Sequence, residues 1–302
     1  MPRVALVVNP RAGRGRVARE LPRLLDLIAA SGITAAVHET THRGHATTLA
    51  RAASSDGFDT VVAVGGDGTL NEVVNGLILD DELVGEAGLG LVAAGSGSDF
   101  ARSFGLPAHV DHGLAGIAGP PRRLDVGRID CMSAIGEDPV RRYFVNAAEA
   151  GMAAATVERA ERLPRWFGRG RYLIAFWPSL ASFDPVDMTV STSSETHHLH
   201  AHNVLIANGR YLGGGMHISP HSDPADGVFD IQANVGPKRQ AFTLIPKIYR
   251  GRHLPDDQIV QMSGSRVTVE TAIPVPIEAD GEMIGMTPAT FTVLPGALEL
   301  VA

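Results

Sequence analysis

The run Gly65-Gly66-Asp67-Gly68-Thr69-Leu70-Asn71-Glu72 follows a short apolar stretch, Thr60–Val64, and precedes residues with helical spacing. Glycines at a strand-to-helix turn let the backbone approach a phosphate closely, and the helix start offers free N–H groups to an anion. Asp67 stands where a carboxylate can hold magnesium or a magnesium-bound water. No lysine follows, so this is not the Gly-x-x-x-x-Gly-Lys-Ser/Thr phosphate loop. Read alone, the run also suits an ordinary strand–turn–helix connection. Two further segments extend it. Asn9-Pro10-Arg11-Ala12-Gly13-Arg14-Gly15 follows Val4–Val8 and combines turn chemistry with positive charge. Gly95-Ser96-Gly97-Ser98-Asp99-Phe100-Ala101-Arg102 follows Leu89–Ala93. Each alone reads as a plain loop; three glycine-rich loops at the same edge of one sheet weigh against that plain reading. Near the C-terminus, Asp280-Gly281-Glu282 follows the extended run Ile273–Ala279 and reads as a hairpin turn. Phosphoryl transfer to a hydroxyl needs a carboxylate to accept the proton, and Glu282 is the candidate general base.

The elements that position these residues alternate. Val4–Val8 reads as a strand, Arg16–Ala30 as a helix, Ile33–His38 as a strand and His42–Ser54 as a helix. Thr60–Val64 reads as a strand, Leu70–Leu79 as a helix and Leu89–Ala93 as a strand. Such alternation predicts a parallel sheet covered by helices on both faces, with ligands at the carboxyl ends of its strands. After Leu124 short strand-like runs dominate: Arg142–Val145, Val186–Thr192, Val204–Ala207, Val228–Ala233, Arg266–Glu270 and Phe291–Leu294. Helical stretches fall near Ala153–Leu163, Tyr172–Ser182 and Arg239–Arg250. The expected organisation is therefore an α/β nucleotide-binding domain over residues 1–130 and a mainly β domain over 131–302, with the boundary near 124–135.

Composition agrees. The chain of 302 residues suggests two domains at about 100–200 residues each. Hydrophobic residues make up 44%, enough for a sizeable core. The net charge of −7 disfavours bulk nucleic-acid binding, so no nucleic-acid partner is expected. Cys131 is the sole cysteine, which excludes an intramolecular disulfide and a thiolate zinc site and fits a reducing cytosol. No run reaches the ~18 apolar residues of a spanning helix. The opening residues run straight into a strand-like segment too short for a signal peptide. The expectation is a cytoplasmic protein that visits a membrane transiently.

Together these pieces resemble the diacylglycerol kinase catalytic-domain family, which includes bacterial soluble lipid kinases and the sphingosine and ceramide kinases. The resemblance runs over essentially the whole chain. It includes Asn9-Pro10, Thr40 before Gly44, Gly65 through Gly76, Gly95–Pro107 and Asp125-Val126-Gly127. It continues through Phe144-Val145-Asn146, Gly151, Asn208-Gly209, Gly213–Pro220, Asp226-Gly227 and Asp280-Gly281-Glu282. The resemblance implies an amino-terminal α/β domain like those of 6-phosphofructokinase and NAD kinase, a carboxy-terminal β-sandwich, and ATP between them. It implies that the last residues of the chain return to the first domain. It implies Glu282 as proton acceptor, and ATP contacts at Asn9, Thr40, Gly65 and Gly66 through Glu72, Gly95 and Ser96. Asp67, Asp99 and Asp125 match acidic positions that organise magnesium around the phosphates. A second, structural magnesium is implied at Asp223, Asp226 and the Val228 carbonyl, and hard oxygen donors suit that ion. The family pattern Gly-Thr-Gly-Asn-Asp-Phe-Ala-Arg has Ser96 for Thr and Ser98 for Asn here. A homodimer follows by analogy with the family.

The substrate expected from the resemblance is a lipid hydroxyl, diacylglycerol-like first and a sphingoid base second. A kinase of a soluble substrate such as NAD, or a regulator that binds without turnover, remains the alternative. Residues Arg159 to Tyr172 place five arginines around Trp166-Phe167, a pattern that suits peripheral docking on anionic headgroups and equally a solvated turn over a core aromatic pair. His198, His200 and His202 would share one strand face, as a zinc or nickel site would need; a solvated edge strand is the plainer reading.

Overall fold

The computed structural model describes residues 2–94, 98–107, 113–134, 136, 138–164 and 170–301. The chain divides into two compact units, Met1–Val126 with Leu294–Ala302, and Gly127–Val293.

The first unit begins with β1 (Arg3–Val8), α1 (Ala12–Ala30), β2 (Thr34–Glu39) and α2 (His45–Ser55). It continues with β3 (Thr60–Gly65), α3 (Asp67–Leu77), a small hairpin of β4 (Ile78–Leu79) and β5 (Glu82–Leu83), and β6 (Gly88–Ala93). Short helices α4 (Asp99–Ser103) and α5 (Ala115–Ala118) follow, and β7 (Pro121–Met132) runs through the division. Strands β2, β1, β3 and β6 pair in parallel in that order. Both β3 and β6 are buried throughout, as strands covered on two faces must be. One face packs Val4, Leu6, Val62 and Val64 against Val17, Leu24 and Ile28 of α1. Helices α2 and α3 lie against each other beside β1 and β3. The chain's last strand, β17 (Glu282–Val301), ends by pairing Leu300 and Val301 in parallel with β6.

The second unit contains β8 (Pro139–Phe144), β9 (Ala147–Gly151), α6 (Met152–Glu161), α7 (Gly170–Ser182), β10 (Val186–Ser191) and β11 (Thr196–Ala201). It continues with β12 (Asn203–Ala207), β13 (Phe229–Asn234), α8 (Ala241–Ile248), β14 (Ile259–Gly264), β15 (Arg266–Thr271), β16 (Pro276–Ala279) and most of β17. One layer runs β14-β13-β12-β9-β16-β17, all antiparallel. The other pairs β11 with β10, β10 with β15 and β15 with β17. Phe229, Ile231, Ala148 and Ile277 from the first layer meet Met188, Val190, Val269 and Phe291 from the second in one core. Side chains alternate inward and outward along β10 and β15, as a half-solvated sheet requires.

Several elements differ from their sequence pattern. Helix α3 starts at Asp67 and gives way to β4 at Ile78, because Gly66 with extended backbone sets its first turn. Strand β9 carries alanines that favour helix, yet burial between β12 and β16 imposes extension. Strand β7 is hidden in the sequence by its charged alternation, Arg122, Arg123, Asp125, Arg128 and Asp130.

Candidate functional site

In the first unit the residues that follow β1 and β3 meet Ala94, which follows β6, at the carboxyl end of the sheet. Asn9 Nδ2 donates to Thr69 Oγ1 at 3.1 Å, and Asn9 Oδ1 accepts the Arg11 N–H. Ala94 N–H donates to the Gly65 carbonyl, joining the β6 loop to the β3 loop. Residues Gly13, Arg14 and Gly15 are all left-handed. A Cβ on Gly13 would stand 2.5 Å from the Ala94 carbonyl oxygen, so the first loop can lie on the third only with glycine there. Thr40 N–H donates to the Val8 carbonyl and brings the end of β2 to the same edge. Helix α3 begins without a side-chain cap, and its positive end faces the same edge as an anion-binding helix start would.

The acidic residues divide by role. Asp67 Oδ1 accepts the Phe100 N–H at 3.3 Å, linking the Gly65–Glu72 loop to the start of α4. Asp99 is buried and pairs with Arg102 at 2.9 Å. Asp125, also buried, accepts the Gly296 N–H at 2.6 Å and holds the returning end of β17. Glu72 is turned onto α2: Oε1 accepts the Gly44 N–H at 2.9 Å and Oε2 the Ala46 N–H at 3.0 Å. Thr69, Leu70 and Asn71 are buried, and Asn71 Oδ1 accepts from Asn75 Nδ2. Leu70 is fully buried, and its N–H donates to the Gly66 carbonyl. Gly95 and Ser96 lie outside the described residues. Ser98 adopts left-handed backbone with φ 55°, a conformation that asparagine tolerates better than serine.

In the second unit Asp280 and Gly281 form a two-residue turn between Ala279 and Glu282. Both have positive φ, 49° and 84°, the geometry that makes Asp-Gly the preferred hairpin pair. Asp280 is fixed from below. Its Oδ2 accepts the Val145 N–H at 3.0 Å, and its Oδ1 accepts those of Asn146 and Ala147 at 2.9 and 3.2 Å. Asn208 Nδ2 donates to the Val145 carbonyl, and the N–H groups of Asn208 and Gly209 donate to that of Asn146. The sequence segments around residues 144–146, 208–209 and 280–282 thus form one hydrogen-bonded cluster. Glu282 follows the turn, half-buried, with Arg142 Nη2 3.7 Å from its Oε2. Sequence reasoning assigns Arg142 no role.

Beneath the turn lies a second carboxyl pair that sequence reasoning also misses. Glu149 and Glu278 are direct partners across β9 and β16. Asn203 Nδ2 donates to Glu149 Oε1 at 3.0 Å, and the Gly281 N–H donates to Glu278 Oε2 at 2.8 Å. Burial pushes the Glu149 carboxyl up to about 7. Burial, then the neighbouring Glu149 charge, pushes Glu278 well above the usual carboxylate range. A glutamate inside the alanine run Ala147–Ala150 is the one sequence signal for this pair.

Asp223 and Asp226 stand on an exposed turn. Asp223 Oδ1 accepts the Ala225 N–H, and Asp226 Oδ1 accepts the Val228 N–H. Two carboxylates and a nearby carbonyl are a hard oxygen donor set of the kind magnesium takes. The three-imidazole face does not form. His198 meets Thr189 Oγ1 and His200 meets Asp187 Oδ1, while His202 lies past the end of β11 and is buried. No cluster of three His, Cys, Asp or Glu side chains suited to a metal occurs among the described residues. Residues 165–169, with Trp166 and Phe167, lie outside the described residues. No helix of the described residues is long and apolar enough to cross a membrane.

Comparison with known proteins follows these two clusters. Residues 3–129 match the diacylglycerol kinase catalytic domain, and residues 146–302 match the YegS C-terminal NAD kinase beta sandwich-like domain. A diacylglycerol kinase of Bacillus subtilis is 29% identical over 312 aligned positions, covering 100% of this chain and 96% of its own. One of Mycobacterium tuberculosis is 30% identical, covering 96% and 89%. A crystal structure of a putative diacylglycerol kinase from Bacillus anthracis superposes with TM-score 0.78 at 24% identity, over 99% of this chain and 96% of that one. Yeast NADH kinase shares the architecture more loosely, at TM-score 0.50 and 9% identity. The fold is thus an α/β domain followed by a β-sandwich-like domain, and the chain belongs to the diacylglycerol kinase family.

Proposed function

We propose that this protein is an ATP- and magnesium-dependent lipid kinase that transfers the γ-phosphoryl group to a lipid hydroxyl, with a diacylglycerol-like substrate favoured. The observation that carries this reading is the fixed Asp280–Gly281 turn. Three backbone N–H bonds to Asp280 and one from Gly281 to Glu278 hold the backbone on which Glu282 is presented. Such preorganisation is what proton abstraction from a hydroxyl requires. The diacylglycerol kinases named above support the substrate class by kinship.

The first unit would bind the phosphates with the N–H groups at the start of α3 and the loop after β1. Glu282 accepts the hydroxyl proton as the lipid oxygen forms its bond to the γ-phosphorus. The bond from that phosphorus to the bridging oxygen breaks and ADP leaves. Arg142 orients the Glu282 carboxylate. Magnesium, when bound, would offset charge on the phosphates; Asp67 and Asp99 are the carboxylates of the loops that would hold it, and Asp125 supports them from the β17 return. Asp223, Asp226 and the Val228 carbonyl would hold a second, structural ion.

The test is phosphorylation of dispersed candidate lipids with labelled ATP, with and without Glu282→Gln. Label in a diacylglycerol that vanishes in the variant, while ATP binding persists, supports the reading. Full activity in Glu282→Gln removes Glu282 as the base. Labelled NAD with no labelled lipid replaces the substrate class.

A further inference from the structure

Helices α7 and α8 of the second unit present apolar residues to solvent. The outward positions of α7 follow the spacing i, i+3, i+4, i+7: Ile174, Trp177, Pro178 and Ala181 are exposed, and none is polar. On α8, Phe242 and Pro246 are exposed, and Tyr249 follows directly after the helix end. The two helices share this face: the Trp177 and Phe242 rings stack at 4.9 Å, with 38% and 66% of these residues exposed. A helix on a solvated surface normally turns its polar stripe outward. Helix α7 does the reverse, α8 adds Phe242 and Pro246 beside the exposed Thr243 and Lys247, and large exposed apolar patches mark interaction sites.

The charge around the patch selects the partner. The chain carries −7 overall, yet no acidic residue occurs between Val235 and Leu254, where Lys238, Arg239, Lys247, Arg250 and Arg252 fall. Arg239, Arg250 and Arg252 are exposed and make no ion pair among the described residues. A second copy seated symmetrically on the patch would bring a second basic fringe into the same interface, because a two-fold contact uses the same surface of both copies. An anionic lipid surface neutralises the fringe and takes up the aromatic rings at the headgroup boundary.

Position ties the patch to the reacting group. Tyr172 of α7 has its hydroxyl oxygen 3.9 Å from where a Gly281 Cβ would stand, beside the turn that presents Glu282. Trp177 lies about 7.5 Å further along the same helix at 1.5 Å rise per residue. We propose that the outward faces of α7 and α8, with the exposed Arg239, Arg250 and Arg252 close to α8 in the chain, dock this protein on an anionic bilayer next to the proton-accepting turn. Trp166 and Phe167, which lie outside the described residues, carry no part of this inference. Its purpose rests on the lipid-kinase reading; its test does not.

The test is sedimentation of the full chain with vesicles of equal parts phosphatidylcholine and phosphatidylglycerol, and with phosphatidylcholine alone. The expected result is binding to the anionic vesicles that falls at least tenfold in Trp177→Ala/Phe242→Ala. The same loss is expected in Arg239→Glu/Arg250→Glu, since each cation near such a surface contributes roughly fivefold. Arg239 and Arg250 are exposed, so thermal melting of that variant should be unchanged, and the aromatic variant should lose only the roughly 1 kcal/mol of one stacked pair and stay folded. No binding by the wild type, or equal binding by both variants, overturns the proposal. So does a solution dimer that Phe242→Asp converts to monomer, which would make the face an interface between copies. Phosphorylation of a water-soluble short-chain diacylglycerol is measured alongside. Its absence, with vesicle binding intact, sinks the kinase reading and leaves the docking surface standing.

Discussion

Replacing Glu149 by glutamine removes one carboxyl from the buried pair while keeping its shape. The introduced amide can still accept from Asn203 Nδ2 through its oxygen, and its N–H groups can donate to Glu278. Glu149 moves from 4.5 to about 7 on folding, and Glu278 moves up as well. A carboxyl whose folded value exceeds its unfolded one stabilises the fold fully below the unfolded value. That contribution is lost as pH rises through the folded value. For Glu149 the window is therefore about pH 4.5 to 7. Each extra proton held by the folded state gives a slope of about 1.4 kcal/mol per pH unit. Removing Glu149 should cut the loss between pH 5 and 7 by about 3 kcal/mol at most. About half that is expected, since Glu149 keeps partial exposure. The Glu149→Gln variant should thus be more stable than wild type at pH 8 and no more stable at pH 4.5. Urea unfolding followed by tryptophan fluorescence measures this, because Trp166 and Trp177 both fall within the second unit's span. An unchanged pH slope in Glu149→Gln would refute the shared-burial argument.

Asp280→Ala leaves three backbone N–H groups without their acceptor and should cost about 3–5 kcal/mol, read by chemical unfolding. Asp280→Asn, which keeps one acceptor oxygen, should cost less. Gly281→Ala forces an L side chain to φ 84° and should lower stability by about 1–2 kcal/mol, with a larger loss in kcat than in KM for the lipid. Glu72→Ala frees the Gly44 and Ala46 N–H groups at the start of α2; about 1–2 kcal/mol of stability should go while ATP affinity stays within a fewfold, measured by calorimetry. Arg142→Ala should reduce kcat and leave the melting temperature nearly unchanged, since the 3.7 Å pair is partly exposed.

Much of the site is legible in the sequence because its chemistry is local. A strand, a glycine pair and an uncapped helix start are adjacent in sequence at Gly65–Glu72, so this strand–turn–helix unit can be read directly. The Asp280–Gly281 turn is legible for the same reason: turn type follows from two neighbouring residues. The side chains within those motifs are less so. Glu72 sits in the glycine loop's sequence, yet its carboxylate serves α2, because the packing of α3 on α2 brings Gly44 and Ala46 within reach. The histidines do not share the face that their spacing suggests, because strand alternation assumes β11 continues, and it stops at Ala201.

By itself the sequence determined the strand–helix alternation of the first unit, the glycine-bearing turns and the Asp-Gly hairpin, since each depends on neighbours along the chain. Tertiary structure alone decided which distant groups share a proton or a hydrogen bond. The register of β9 on β16 sets Glu149 beside Glu278, and Asp280 reaches back to Val145, Asn146 and Ala147. It also decided that the chain's last strand returns to β6, held where Asp125 meets Gly296. The physical reason is that periodicity and turn chemistry act over a few residues. Burial, and with it the cost of a buried charge or an unpaired N–H, depends on what the whole fold brings to the same place.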